Sequence, residues 1–331
     1  MKLSVVATLY CSAPYVDEFC RRASAAARAY AGDDYEIVLV NDGSPDRSLE
    51  LAIAQSARDP RIAVIDLSRN FGHYKAIMTG LAQVRGDRVF LIDSDLEEEP
   101  EWLEPFAAQM ARDACDVVYG VQQHRKGGWF ERLSGYLFYK IFLLMTNVPI
   151  SENLTTARLM SRRYVQALCR HDEREVFLAG LWHLAGFEQH PRLVTKHARS
   201  ATTYTLRRKL GVFVNSVTSF SNVPLIGIFY IGLAISVAAV LYIVAIVANW
   251  LCFQHPPTGW TSLIASIWLL GGLTILFLGI IGIYLSKIFS ETKRRPYTII
   301  RQIYSQGRAQ TLDHPDGVDS KRPESPLRGG E

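Results

Sequence analysis

The chain has 331 residues, 49% of them hydrophobic, and a formal net charge of +4 at pH 7, a length that allows one large domain or a domain with an accessory module. So small a charge, with no basic stripe carrying interleaved aromatics, excludes a nucleic-acid binder. Five cysteines without any CxxC pair exclude a disulfide framework and read as reduced thiols of a protein facing the cytosol.

In chain order, Leu3–Leu9 is strand-like from the start, without a basic and apolar leader, so no signal peptide is expected. Val16–Tyr30 is an Ala-rich helix. Glu36–Val40 is a buried strand closed by the turn Asn41-Asp42-Gly43, and Pro45–Ala57 is a helix with Ser44 as its N-cap. Arg61–Leu67 is a third strand, His73–Val84 a helix, Arg88–Ile92 a fourth strand and Asp116–Val121 a fifth. Strands alternating with helices of this length predict an α/β domain with a mainly parallel sheet. Ligands of such sheets sit beyond the carboxyl ends of the strands. That rule selects Thr8–Ser12, Asp42–Asp46, Ser68–Gly72 and Asp93–Glu98 together.

The second half of the chain is different. Trp129–Met145 is apolar and aromatic with Arg132 and Lys140 spaced along it, and Arg207–Ser219 has the same character; both fit helices lying in a membrane interface. From Leu210 to Ser286 there is no Asp, Glu, Lys or Arg. Within that block Leu225–Val247 and Leu263–Leu285 each reach the ~20 apolar residues that a membrane-crossing helix needs. Arg207, Arg208 and Lys209 precede the first stretch, Lys287, Lys293, Arg294 and Arg295 follow the second, and the loop between has neither Lys nor Arg. Both termini are therefore expected in the cytoplasm, with Trp250 and Trp260 marking the outer interface. The expected organisation is a cytoplasmic domain over 1–205, a juxtamembrane helix over 206–222, a two-helix hairpin over 223–288 and a cytoplasmic tail over 289–331. From about Gln306 the composition predicts disorder.

Chemistry concentrates at the strand ends. Asp93-Ser94-Asp95 closes a strand, and paired carboxylates there suit Mg²⁺ or Mn²⁺, which take few protein oxygens and complete their shell with substrate phosphate. Asp42, at a second strand end, suits a base or ribose, or else a helix start. Arg69 and Lys75 are candidates to neutralise phosphate, and His73 is open between a structural and a functional part. Glu97-Glu98-Glu99 before Pro100 reads first as acidic charge near a helix N-terminus. Arg125, in the loop Arg125-Lys126-Gly127-Gly128, is a candidate for pyrophosphate or lipid phosphate. Arg158 is assigned to the site, Arg162 and Arg163 to a solvated face, and Arg132, Arg207 and Arg208 to a lipid phosphate.

The ordered set SVVATLY, VNDGSPD, LSRNFGHYKA, LIDSDLEEEPE, VVYGV, ARLMSRR and SFSNVPL, followed by two apolar spans, resembles the family-2 glycosyltransferases with the nucleotide-diphospho-sugar (GT-A-like, Rossmann-like) fold. It is most similar to bacterial enzymes that load a sugar onto undecaprenyl phosphate, over about residues 3–300. The resemblance implies a divalent metal, a nucleotide-sugar donor, inversion at the anomeric carbon and often an oligomer; the apolar spans and their basic flanks place the chain in the inner membrane, and two short-looped spans offer the product no path, so a separate flippase is expected. It implies that Asp42 contacts the nucleoside, Asp93 the ribose or diphosphate and Asp95 the metal, with Thr8, Tyr10 and Ser94 on the nucleotide-sugar side. The chain departs from the family pattern at Thr8, Cys11 and Ser12, and at Thr156, where relatives carry an acidic residue. A phosphate acceptor tolerates that loss: its second pKa lies near 6, so it needs no base, whereas a sugar hydroxyl does. A glycan-extending transferase and a non-catalytic membrane scaffold are the alternatives.

Overall fold

The computed structural model describes residues 1–122, 140, 153–171, 178–196, 218, 221, 223–253, 259–293 and 295–310. The first strands form as the sequence predicts: β1 (Leu3–Leu9), β2 (Tyr35–Asn41), β3 (Ile62–Leu67) and β4 (Arg88–Leu91). They lie side by side in parallel, in the order β4-β1-β2-β3. Each is buried along nearly its whole length because helices cover both faces of the sheet. Val5, Ala7, Ile37, Leu39 and Val64 face α1 (Val16–Ala31), α2 (Ser48–Arg58) and α4 (Leu103–Asp113). Val6, Val38, Val40 and Ile65 face α3 (His73–Gln83), α5 (Arg162–Leu168) and α6 (Leu178–Leu184). Each such fully buried Val, Ile or Leu side chain contributes about 1.5–3 kcal/mol.

Beyond β4 the sheet turns mixed. β6 (Leu154–Ser161) runs antiparallel to β4 and to β5 (Val117–Gln122), and β7 (Gln189–Val194) runs parallel to β5. Neither β6 nor β7 is predicted by the sequence patterns above. At the C-terminal side the chain returns to the sheet as β8 (Ile300–Ser305) and β9 (Arg308–Gln310), strands the sequence patterns do not predict, with β8 antiparallel to β3; residues 311–331 lie outside the described residues. The β8–β9 pair is an edge hairpin, held by strand pairing and by partly buried Ile300, Ile303 and Tyr304 packed against the core. The α2 start is also corrected. It begins at Ser48, and Ser44 does not cap it; the Ser48 amide donates to Asp46 Oδ1 at 3.0 Å.

Two long apolar helices follow the globular part: α7 (Val223–Phe253) and α8 (Trp260–Thr292). Their large side chains are bare, Leu241 at 64% and Ile275 at 74%. Among the described residues, Leu269–Thr292 is long and apolar enough to cross a membrane, and Val223–Ile235 is a shorter apolar stretch. Tyr284 Oη donates to Ser221 O at 2.6 Å, which brings the far part of α8 beside the entry to α7. Most of Trp129–Met145 and of Arg207–Ser219 lies outside the described residues, as do Arg125, Arg132, Arg207 and Arg208.

Candidate active site

The parallel topology brings the carboxyl ends of β1–β4 to one rim. The Thr8 hydroxyl lies 3.1 Å from His73 Nδ1, and His73 Nε2 lies 3.5 Å from Asp93 Oδ1. His73, open on sequence grounds, therefore links the first strand end to the fourth. Ser94 is buried; its hydroxyl donates to Thr8 O at 2.7 Å and lies 3.1 Å from Ser12 Oγ. Ser94 thus fastens the Asp93-Ser94-Asp95 turn to β1. Behind the turn, Trp102 and Phe106 stack, and Phe106 meets Phe90 of β4 edge-on. Tyr10 projects from the rim, 53% exposed.

Asp42 is 2% exposed, and its carboxylate holds the third loop. Oδ1 accepts the Phe71 amide at 2.7 Å and Oδ2 the Gly72 amide at 3.0 Å. Burial raises its pKa against these two bonds and the nearby His73 and Arg69. Gly43, next to it, has φ +58, and a Cβ there would stand 2.4 Å from the backbone of Arg69 and Asn70. Only glycine lets the two loops close on each other. Arg69 sits exposed over the Phe71 ring, 4.1 Å from its centroid, and Lys75 lies half-buried in the first turn of α3.

The acidic rim carries more than its two aspartates. Glu98 does not serve as solvated charge at a helix start; it is fully buried and accepts the Thr156 amide at 3.0 Å and the Asp93 amide at 3.4 Å. Lys196, just past the end of β7, reaches Glu97 at 3.4 Å and Glu98 at 3.7 Å. Burial and the Asp93 charge push Glu98 above the ordinary carboxylate range, while Lys196 and the two amides oppose that. Asp95 is likewise raised, by burial and then by its neighbour Asp93. Lys196 and Glu98 escaped the sequence reading for different reasons. Glu98 sits in an EEE run that looks like surface, and Lys196 joins the rim only because β7 pairs with β5.

Arg158 lies beside Leu91 in the sheet, is 1% exposed, and donates from Nε to Thr156 O at 3.3 Å. Its guanidinium stacks on Trp182. Nη2 of Arg158 and Nε1 of Trp182 are buried without a hydrogen-bond partner among the described residues. Arg163 lies at the opposite end of the sheet, with Nη2 2.6 Å from Asp116 Oδ2.

Among the described residues no three His, Cys, Asp or Glu side chains converge as a metal cage. The donor set nonetheless fits a hard divalent ion, because Asp95, raised in pKa by burial and by the neighbouring Asp93 charge, is relieved by a dication whose remaining ligands come from a diphosphate.

The glycosyl transferase family 2 model matches residues 4–169, the segment that builds this rim. The chain belongs to glycosyl transferase family 2. It is 48% identical over 330 residues to "Putative glycosyltransferases" of Mycobacterium tuberculosis, covering 100% of this chain and 96% of that one. It is 31% identical over 274 residues to the bactoprenol glucosyl transferase of Shigella phage SfV, covering 81% and 88%. Among solved structures, S. aureus TarS 1-349 in complex with UDP-GlcNAc is similar with a TM-score of 0.45 and 20% identity, over 66% of each chain.

Proposed function

We propose that this family-2 transferase moves a sugar from a nucleotide-diphosphate sugar, with UDP as the nucleotide, to a polyprenyl phosphate such as undecaprenyl phosphate. The observation that carries the reading is its similarity, across four-fifths of its length, to a bactoprenol glucosyl transferase. A phosphate oxygen of the acceptor forms the new bond to the anomeric carbon, the bond to the diphosphate breaks, configuration inverts and UDP leaves. The acceptor is already a dianion near pH 7, so the reaction needs charge control and alignment more than a base. That agrees with Thr156 in place of a carboxylate.

In this reading the loops held by Asp42 take the nucleoside beside Thr8 and Tyr10, Arg69 and Lys75 face the diphosphate, Asp93 meets the ribose or diphosphate, and Asp95 would hold Mg²⁺ or Mn²⁺. The ion's chemistry is to stabilise charge on the departing diphosphate. Ser94 keeps the turn in place. Arg158 lies under the rim as a fixed positive charge, and Arg125, Arg132, Arg207 and Arg208 are proposed for the phosphate groups. The α7–α8 pair is read as a membrane hairpin that brings the rim to the cytoplasmic surface, where a polyprenyl phosphate presents its head group.

The test is to incubate membranes containing the protein with undecaprenyl phosphate, Mg²⁺ or Mn²⁺ and a panel of UDP- and GDP-sugars, then examine the lipid extract by mass spectrometry. A new sugar-phosphate lipid, absent with Asp95→Asn, is expected. Nucleotide release with no lipid product would move the acceptor elsewhere.

A further inference from the structure

The strand that returns from the apolar helices carries an irregularity next to the rim. β8 pairs with β3 so that Ile300 opposes Leu67 and Gln302 opposes Asp66, with a register shift between them. Arg301 is the residue left over, a bulge that re-aims its side chain. Its guanidinium reaches Asp66 Oδ2 at 3.3 Å and donates to Ser68 O at 2.5 Å, while the Ser68 amide donates to Ile299 O at 2.9 Å. Asp66 is 1% exposed, and its other oxygen accepts Asn41 Nδ2 at 2.8 Å. Asn41 Oδ1 in turn accepts the Ser44 amide at 3.3 Å. One cation therefore braces both strand ends from which the 41–46 and 68–72 loops spring.

We infer that Arg301 is a positioning residue for the donor: through Asp66, Asn41 and Ser68 it sets the two loops that Asp42 and Gly43 draw together. The inference rests on the proposed reading in which these loops take the nucleotide. It gives the start of β8 around Arg301 a part in donor binding and so couples that binding to the strand entering from α8. Arg301 itself touches no reacting atom.

The test uses the full-length protein in detergent with three variants. Arg301→Ala removes the brace; Arg301→Lys keeps a point charge that serves one partner at a time. Gly307→Ala perturbs the other end of the hairpin, where a Cβ would stand 2.6 Å from Ala57 Cβ and φ is +69. The readouts are hydrogen exchange over residues 68–75, UDP affinity by calorimetry, and KM and kcat for the UDP-sugar that supports turnover. Arg301→Ala is expected to speed exchange in that segment and raise the donor KM about tenfold, with kcat changed by no more than about twofold, the loss of one charge-assisted brace. Arg301→Lys should recover part of it. Gly307→Ala should melt earlier yet bind UDP as the parent does. Unchanged exchange in Arg301→Ala overturns the brace whether or not UDP binds. A parent protein that binds no UDP, with exchange still accelerated in the variant, overturns the nucleotide reading and leaves the brace standing. A loss in kcat matching the drop in melting temperature, with KM unmoved, reduces Arg301 to a stability residue and overturns the inference.

Discussion

Asp42 offers the sharpest test of how this rim is built, because two roles for it make opposite predictions. Both carboxylate oxygens accept backbone amides, at 2.7 and 3.0 Å, in a place only 2% exposed. Asp42→Asn keeps one acceptor and turns an NH₂ group toward the other amide, so one charge-assisted bond is lost and one buried N–H is left without a partner. Bonds to charged groups contribute roughly 1.5–3 kcal/mol and an orphaned donor costs about 1–3 kcal/mol. Burial already disfavours the ionised carboxylate here, and its removal returns part of that sum. A net loss of about 2–3 kcal/mol is expected, a drop in melting temperature of about 4–10 °C for a domain of this size. Thermal unfolding in detergent measures it, and hydrogen exchange at Phe71 and Gly72 localises it; UDP affinity should fall in the same variant because the loop has moved. A variant that melts with the parent and keeps slow exchange at those amides, yet loses UDP, would refute the argument. It would show that the carboxylate faces the nucleoside and leaves the loop to hold itself.

Gly43→Ala adds a Cβ 2.4 Å from two backbone atoms at φ +58, so a loss of about 2–4 kcal/mol is expected from strain and overpacking together; chemical denaturation midpoints check it. Lys196→Met removes the cation facing the buried Glu98; because burial already raises the Glu98 pKa, the carboxyl takes up a proton, so the loss should stay below the ~3 kcal/mol of a stranded charge and grow as pH rises; restoration by a second change, Glu98→Gln, in a double-mutant cycle is the check, and additive losses would separate the two residues. His190 bonds Asp113 at 3.0 Å and Glu188 at 3.1 Å, and the Asp113 bond, against desolvation, raises its pKa. A raised folded value means the contribution is complete below about pH 6.5 and fades as pH rises through the folded pKa. The melting-temperature gap between the parent and His190→Gln should therefore narrow from about pH 6 to pH 8.5; a constant gap would show that the pair is neutral to stability.

What the sequence by itself determined is local and periodic. Apolar runs bounded by turn residues placed β1 to β5 within a few residues, and the parallel rule alone selected the four strand ends that form the rim. Two uncharged stretches announced α7 and α8. The tertiary structure decided everything that depends on contacts between distant segments. Glu98 and Glu97 share one EEE run, yet only packing against Thr156 and Lys196 makes the first a buried node. Residues 300–310 mix a few apolar residues, Ile300, Ile303 and Tyr304, with polar ones, too weak a pattern to announce an edge hairpin whose pairing partner lies more than two hundred residues away in β3. Asp42 was legible as a carboxylate at a strand end, but a sequence does not say whether a carboxylate turns toward a ligand or toward its own backbone. That choice depends on the close approach of two loops, which Gly43 permits and the fold imposes.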